Sequence, residues 1–119
     1  MFTFKKLFGL ALLSILFVCC AERPVENAVK IEFERDTIAL DEIYTAYLTV
    51  NHISSILPEF FIVIEPDTFR VMYDEPQDCA VFNTVGRSLG EKKYSGFVEY
   101  FDQDSIYRKH KYSIEFVVE

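Results

Sequence analysis

From Val29 to Glu34 the chain reads Val-Lys-Ile-Glu-Phe-Glu, with apolar and charged side chains in strict alternation. Successive side chains of a strand point to opposite faces, so such a run has one wet face and one that must be covered. The same period returns in Tyr44–Val50, where Tyr44, Ala46, Leu48 and Val50 share a face, and in Phe69–Tyr73. A single sheet cannot bury faces of this kind, so a second layer has to close over them. Glu59–Glu65 is apolar between its ends and reads as a central strand covered on both sides. Ala80–Val85, closed by Gly86, then Lys92–Phe101 and about Ile106–Val118 complete the strand signals. Turn-forming residues separate them: Arg35-Asp36, Asn51–Pro58 with a turn near Ser54-Ser55, Pro66-Asp67, Asp74–Asp78 and Gly90-Glu91. Residues 29–119 are therefore expected to form one all-β domain, an antiparallel β-sandwich of about seven strands without a helix.

Residues 1–20 are of another kind. Lys5-Lys6 precede an apolar run, Leu7 through Val18, which ends in Cys19-Cys20 and is broken by Ala21-Glu22-Arg23-Pro24. A spanning helix needs about 20 apolar residues, and this run has about a dozen, the length of the apolar core of a secretory leader. A buried helix fits poorly, because the run is apolar on all sides. The segment resembles a bacterial lipoprotein signal, in which cleavage before a cysteine leaves that cysteine as the lipid-bearing N-terminus. The resemblance implies a helical signal peptide over residues 1–19, a lipid on Cys20 and a lipid-anchored tether over 20–28. Cys20 would be preceded by Leu16-Phe17-Val18-Cys19, and Cys19 by Leu16-Phe17-Val18. Cys20 is preferred, since Cys19 is the smaller −1 neighbour. An ordinary cleaved leader is the alternative. Ala21, rather than Asp, follows the anchor, which in that family points to the outer membrane.

Half of the residues are apolar, enough to offset the entropy of ordering a domain. The formal charge is −7, and losing Lys5 and Lys6 with the leader leaves −9. Such a domain repels phosphate backbones, which argues against nucleic acid as a partner. Adhesion to anionic lipid through a basic face is equally disfavoured, so membrane attachment falls to the lipid anchor. Cys79 opens an apolar strand in Asp78-Cys79-Ala80-Val81-Phe82 and reads as a small buried hydrophobe without a disulfide partner in the domain.

Nothing in the chain matches HExxH, CxxC or a Gly-rich phosphate loop. The two histidines, His52 in a loop and His110 in a strand, read as unrelated residues rather than a zinc pair. Asp74–Asp78 and Asp102-Gln103-Asp104 lack EF-hand spacing and read as turns. The basic stretch Arg108–Lys111 alternates between two faces and is expected to balance carboxylates on a neighbouring strand. No enzyme activity, cofactor or metal site is expected.

The run IEFERDTIALDEIYTAYLTV, the segment Tyr94-Ser95-Gly96 and the closing strand Tyr112–Val118 resemble immunoglobulin-like envelope modules. They are distantly similar to the periplasmic domains of the gliding-motility and type IX secretion shaft protein of Bacteroidetes. The resemblance implies an immunoglobulin-like sandwich with a mechanical or structural role, and no catalytic residue carries over. That family's tandem domains and membrane-spanning motor segment have no counterpart in these 119 residues, so a place in secretion rests on analogy. Antibody-type domains are a poor match, since the chain has no Trp and no cysteine pair to bridge two strands.

The C-terminal hairpin can be set in register from its charges. A loop Gln103-Asp104-Ser105 places Asp102 opposite Ile106, Glu99 opposite Lys109, Gly96 opposite Tyr112 and Lys93 opposite Glu115. Phe97, Phe101 and Tyr107 then share the outer face with Lys93, Glu99, Lys109 and Lys111. Aromatics within a polar rim are typical of contact surfaces, so these three are the expected partner-binding residues. The expected function is that of a lipid-anchored envelope module, structural or protein-interacting. The rival is a carbohydrate-binding module of a surface glycan system, with a glycan as partner.

Overall fold

The structure, a computed structural model, describes residues 28–119. The expected leader, both candidate lipid-bearing cysteines and residues 20–27 of the tether lie outside the described residues. Nine strands follow in order: β1 Val29–Phe33, β2 Thr37–Ile38, β3 Ile43–Val50, β4 Glu59–Ile64, β5 Asp67–Arg70, β6 Met72–Asp74, β7 Cys79–Val85, β8 Gly90–Phe101 and β9 Tyr107–Val118. They form two sheets, one ordered β1-β3-β7-β6 and the other β2-β9-β8-β4-β5. All pairings are antiparallel except that of β2 with β9. No helix occurs among the described residues, and the all-β, two-layer expectation holds.

The alternating runs bury the faces their period marks. Tyr44, Ala46 and Leu48 of β3 meet Ile114, Phe116 and Val118 of β9 in one core, joined by Phe60 and Ile62 of β4. The Tyr44 and Phe116 rings stack at 4.0 Å, with 8° between their planes, and join the sheets. The phenol oxygen of Tyr44 is buried with no hydrogen-bond partner among the described residues. Burial, and secondarily the Asp36 charge, pushes this phenol's pKa up.

Three strand assignments need correction. Phe69–Tyr73 is not one strand: it divides at Val71, so that β5 pairs with β4 in one sheet and β6 with β7 in the other. Val71 is buried at the crossing, and its N–H donates to the Phe60 carbonyl at 2.8 Å. Second, β2 is a two-residue parallel pairing on β9, too short to show a period. These two features raise the count from about seven to nine. Third, β4 is central in its sheet but covered on one side only. Phe60 and Ile62 are buried, while Phe61 and Val63 point outward and are half-buried.

The hairpin register is the one its charges imply: Glu99 faces Lys109, Gly96 faces Tyr112 and Lys93 faces Glu115. Asp102 N–H donates to the Ile106 carbonyl at 2.9 Å, which closes the three-residue loop. Gly96 is needed here because a side chain has no room. A Cβ on it would collide with the Phe61 carbonyl oxygen and sit 2.8 Å from Cζ of Tyr112. The Tyr112 hydroxyl reaches over the glycine and donates to that same carbonyl at 2.8 Å.

Two substitutions test this packing. Gly96→Ala forces β4 and β8 apart and is expected to cost roughly 3 kcal/mol, at the upper end for overpacking. That lowers Tm by about 12 °C or more in a thermal melt. Tyr44→Phe keeps the stacked ring and removes the unpartnered hydroxyl, so Tm should rise by a few degrees, for about 1 kcal/mol. A lower Tm for Tyr44→Phe would mean that its hydroxyl has a partner after all.

Candidate functional site

The outer face of the β2-β9-β8-β4-β5 sheet carries the three residues singled out from the sequence. The other sheet packs on the opposite face, through Tyr44 against Phe116 and Phe82 against Tyr94, so it does not cover them. Phe97 and Phe101 are half-buried, and Tyr107 is 51% exposed. Phe61, from the outward side of β4, joins them: its ring stacks on Phe97 at 4.9 Å with 22° between planes. The amino group of Lys109 lies 4.5 Å from the centroid of the Phe97 ring, a cation–π contact. Phe101 and Tyr107 meet edge to face at 6.0 Å, and the Tyr107 hydroxyl donates to Glu99 Oε1 at 3.0 Å.

Phe61 was missed because an unbroken apolar run carries no period. The signal that could have found it is the same register logic, extended one strand further. Phe61 lies opposite Phe97 in the β4–β8 pairing. Around the rings stand cross-strand ion pairs, Arg70–Glu59 at 3.3 Å and Lys93–Glu115 at 3.9 Å. All are exposed and add little stability singly.

A second polar cluster lies at the end of the sandwich where β3 ends and β7 begins. His52 is only 7% exposed at its side chain. Its Nδ1 lies 2.7 Å from the Ile53 carbonyl and 3.1 Å from the Ile56 carbonyl, so this nitrogen must carry a proton. Its Nε2 lies 2.9 Å from Asp78 Oδ1, which again calls for a proton. The Tyr73 hydroxyl also donates to that carboxylate oxygen. The ring is therefore held as the imidazolium. Burial works against that charge, but the bonds to Asp78 and the Ile53 carbonyl outweigh it, and the His52 pKa is raised. The Tyr73 and His52 hydrogen bonds hold the Asp78 carboxyl below its usual range.

Both ring nitrogens are thus occupied in tying the loop 51–58 to the turn before β7. The pairing is 26 residues long-range, with no sequence motif to mark it. His110 instead packs its ring near Tyr100. Cys79 is buried and unbridged; burial foremost raises its thiol pKa.

Both acidic segments are turns. Asp102 accepts N–H groups from Asp104 and Ile106 at 2.9 and 3.0 Å, and Arg108 Nε at 2.8 Å. Asp74 accepts from Gln77 at 2.9 Å. No group of three or more metal-ligating side chains forms among the described residues. No known protein family, curated protein or solved structure matches the chain.

The His52–Asp78 pair predicts a pH profile. A raised histidine contributes stability fully below its unfolded value near 6.5 and loses it as the pH climbs through the folded value. A lowered aspartate contributes fully above about 3.8 and loses it as the pH falls through its folded value. The pair's contribution is therefore complete between about pH 4 and 6.5 and declines above. Asp78→Asn keeps a residue type that tolerates the φ of 53° found there and removes the charge. Thermal melts from pH 5 to 9 should show the alkaline decline in the unaltered protein and a flattened one in the variant. Parallel profiles would show that the pair is not charged.

Proposed function

We propose that this chain is a lipid-anchored envelope module with an immunoglobulin-like sandwich, non-catalytic, which binds a protein through the outer face of its five-stranded sheet. The strand order supports the fold assignment. In immunoglobulin-type domains the first, second, fifth and fourth main strands share one sheet, and the third, sixth and seventh share the other. Here β1-β3-β7-β6 oppose β9-β8-β4, with β5 added beside β4 as in variable-type domains. The distant similarity to gliding-motility shaft domains stays within this reading, as a structural role in the envelope.

The observation that carries the binding reading is the uncovered row of Phe61, Phe97, Phe101 and Tyr107 among paired charges. Aromatic anchors inside a polar rim suit a protein contact. The glycan alternative is less well served, because a sugar ring stacks on an open aromatic face. Phe97 has Phe61 on one side and the Lys109 amino group near its ring, while Phe101 and Tyr107 are set edge to face.

Lipidation at Cys20 and residence at the outer membrane rest on the leader alone. No helix among the described residues is long and apolar enough to cross a membrane. Mass spectrometry of the mature N-terminus is expected to find an acylated Cys20. An unmodified terminus at Ala21 or beyond would replace the anchored reading with an ordinary exported one.

Phe97→Ser combined with Tyr107→Ser tests the surface. Both rings are partly solvated, so the variant should stay folded, at a cost of about 1–3 kcal/mol in lost burial. It should no longer retain the envelope protein recovered with the unaltered chain. An unfolded variant would make these rings core and remove the contact surface.

A further inference from the structure

We infer that the occupant of the outer face is a second copy of this chain, an inference that rests on reading that face as a contact surface. Its basis is the distribution of charge. Residues 28–119 hold 17 acidic and nine basic side chains, a net −8. Strand alternation places Arg70, Lys93, Lys109 and Lys111 on the outer face of the five-stranded sheet. The same alternation places Glu59, Glu91, Glu99 and Glu115 there. Four bases meet four carboxylates, so the face is neutral, and the rest of the domain carries the whole −8.

This distribution selects among partners. Two copies that approach by their other surfaces bring net negative charge together, and juxtaposed like charges cost several kcal/mol. Across the neutral face they do not. A basic partner would be steered instead to the acidic remainder of the domain.

The layout of the face is also compatible with a two-fold pairing, in which the same patch serves both subunits. Glu59 of β4 and Lys109 of β9 flank Glu99 of β8 at one level. A two-fold axis running along β8 lays Lys109 of each copy over Glu59 of the other and sets the two Phe97 rings together. Glu91, Lys93 and Glu99 of β8 then lie on the axis and meet their own copies; Glu99 keeps Lys109 directly opposite on β9 and its Tyr107 hydroxyl bond, and Lys93 keeps Glu115.

Salt gives the pairing a distinctive sign. Two domains of net −8 repel at long range, with a screening length of about 30 Å at 0.01 M salt and 8 Å at 0.15 M. Raising the salt therefore strengthens contact between copies, whereas it weakens capture of a basic partner.

The test uses the full chain in membranes of the cells that make it, with the photo-crosslinking residue benzoylphenylalanine at one position at a time. Ser113 lies on the outer face of β9, and Lys30 on the outer face of β1 in the other sheet. Irradiation is expected to give, from Ser113 and not from Lys30, an adduct of twice the chain's mass that contains this chain alone. Its yield should rise between about 10 and 150 mM salt, as screening removes the repulsion. Lys109→Glu with Lys111→Glu, which makes the face acidic, should lower the yield about tenfold. If that variant does not fold, the salt response of the unaltered face decides. An adduct from Ser113 with a different protein overturns self-association and leaves the contact surface standing. No adduct from Ser113 removes both. Equal adducts from Ser113 and Lys30, or a yield that falls with salt, also overturn self-association.

Discussion

One carboxylate sets the register on which the candidate surface depends. Asp102 stops β8, accepts the N–H groups of Asp104 and Ile106, and takes Arg108 Nε from the returning strand. These bonds close the turn at three residues, with Ser105 in the left-handed region at φ 62°. Because the side-chain period of a strand is two, a turn one residue longer would move the set on β9 to the opposite face. Tyr112 would then leave Gly96, the Phe61 carbonyl would lose its hydroxyl donor, and Tyr107 would turn into the core. The Gly96–Tyr112 contact checks the same register from the middle of the hairpin, since a glycine crowded by the Phe61 carbonyl is satisfied by a tyrosine at that position alone.

What could be read from the amino-acid order follows from this. The hairpin was legible because its information is local: opposite charges, a glycine facing an aromatic, and a turn between them. Val29–Phe33 and Tyr44–Val50 were legible because half-buried strands carry a period. The division of the run Phe69–Tyr73 at Val71 was not, because a strand that changes sheets keeps its composition while its partners change. Nor was the outward side of β4, where Phe61 and Val63 continue an apolar run past the point at which burial ends. The His52–Asp78–Tyr73 cluster was beyond reach, since it joins a loop to two elements far along the chain and involves residue types equally at home on a surface.

Loops at the ends of a sandwich are the usual place for binding residues, because they are exposed and free to vary. At the end where β8 turns into β9, the polar groups of the loops bond to one another. Gln103 donates to Asn51 Oδ1 at 2.9 Å and to the His52 carbonyl at 2.8 Å, and Ile53 N–H donates to the Phe101 carbonyl at 2.9 Å. His52 and Asp78 are bound to each other, and Asp102 is taken by its own turn. Groups spent in this way have less to offer a ligand, and replacing their bonds would expose unpaired polar atoms. The sheet face is arranged differently. Its rings are held upright by neighbours on rigid strands, so ordering them at a contact costs little entropy. Its ion pairs are exposed and weak, so they can exchange partners without leaving a buried charge behind. Stiff loops and a sheet face whose groups are ready to exchange partners favour the strands over the loops as the place of the proposed contact.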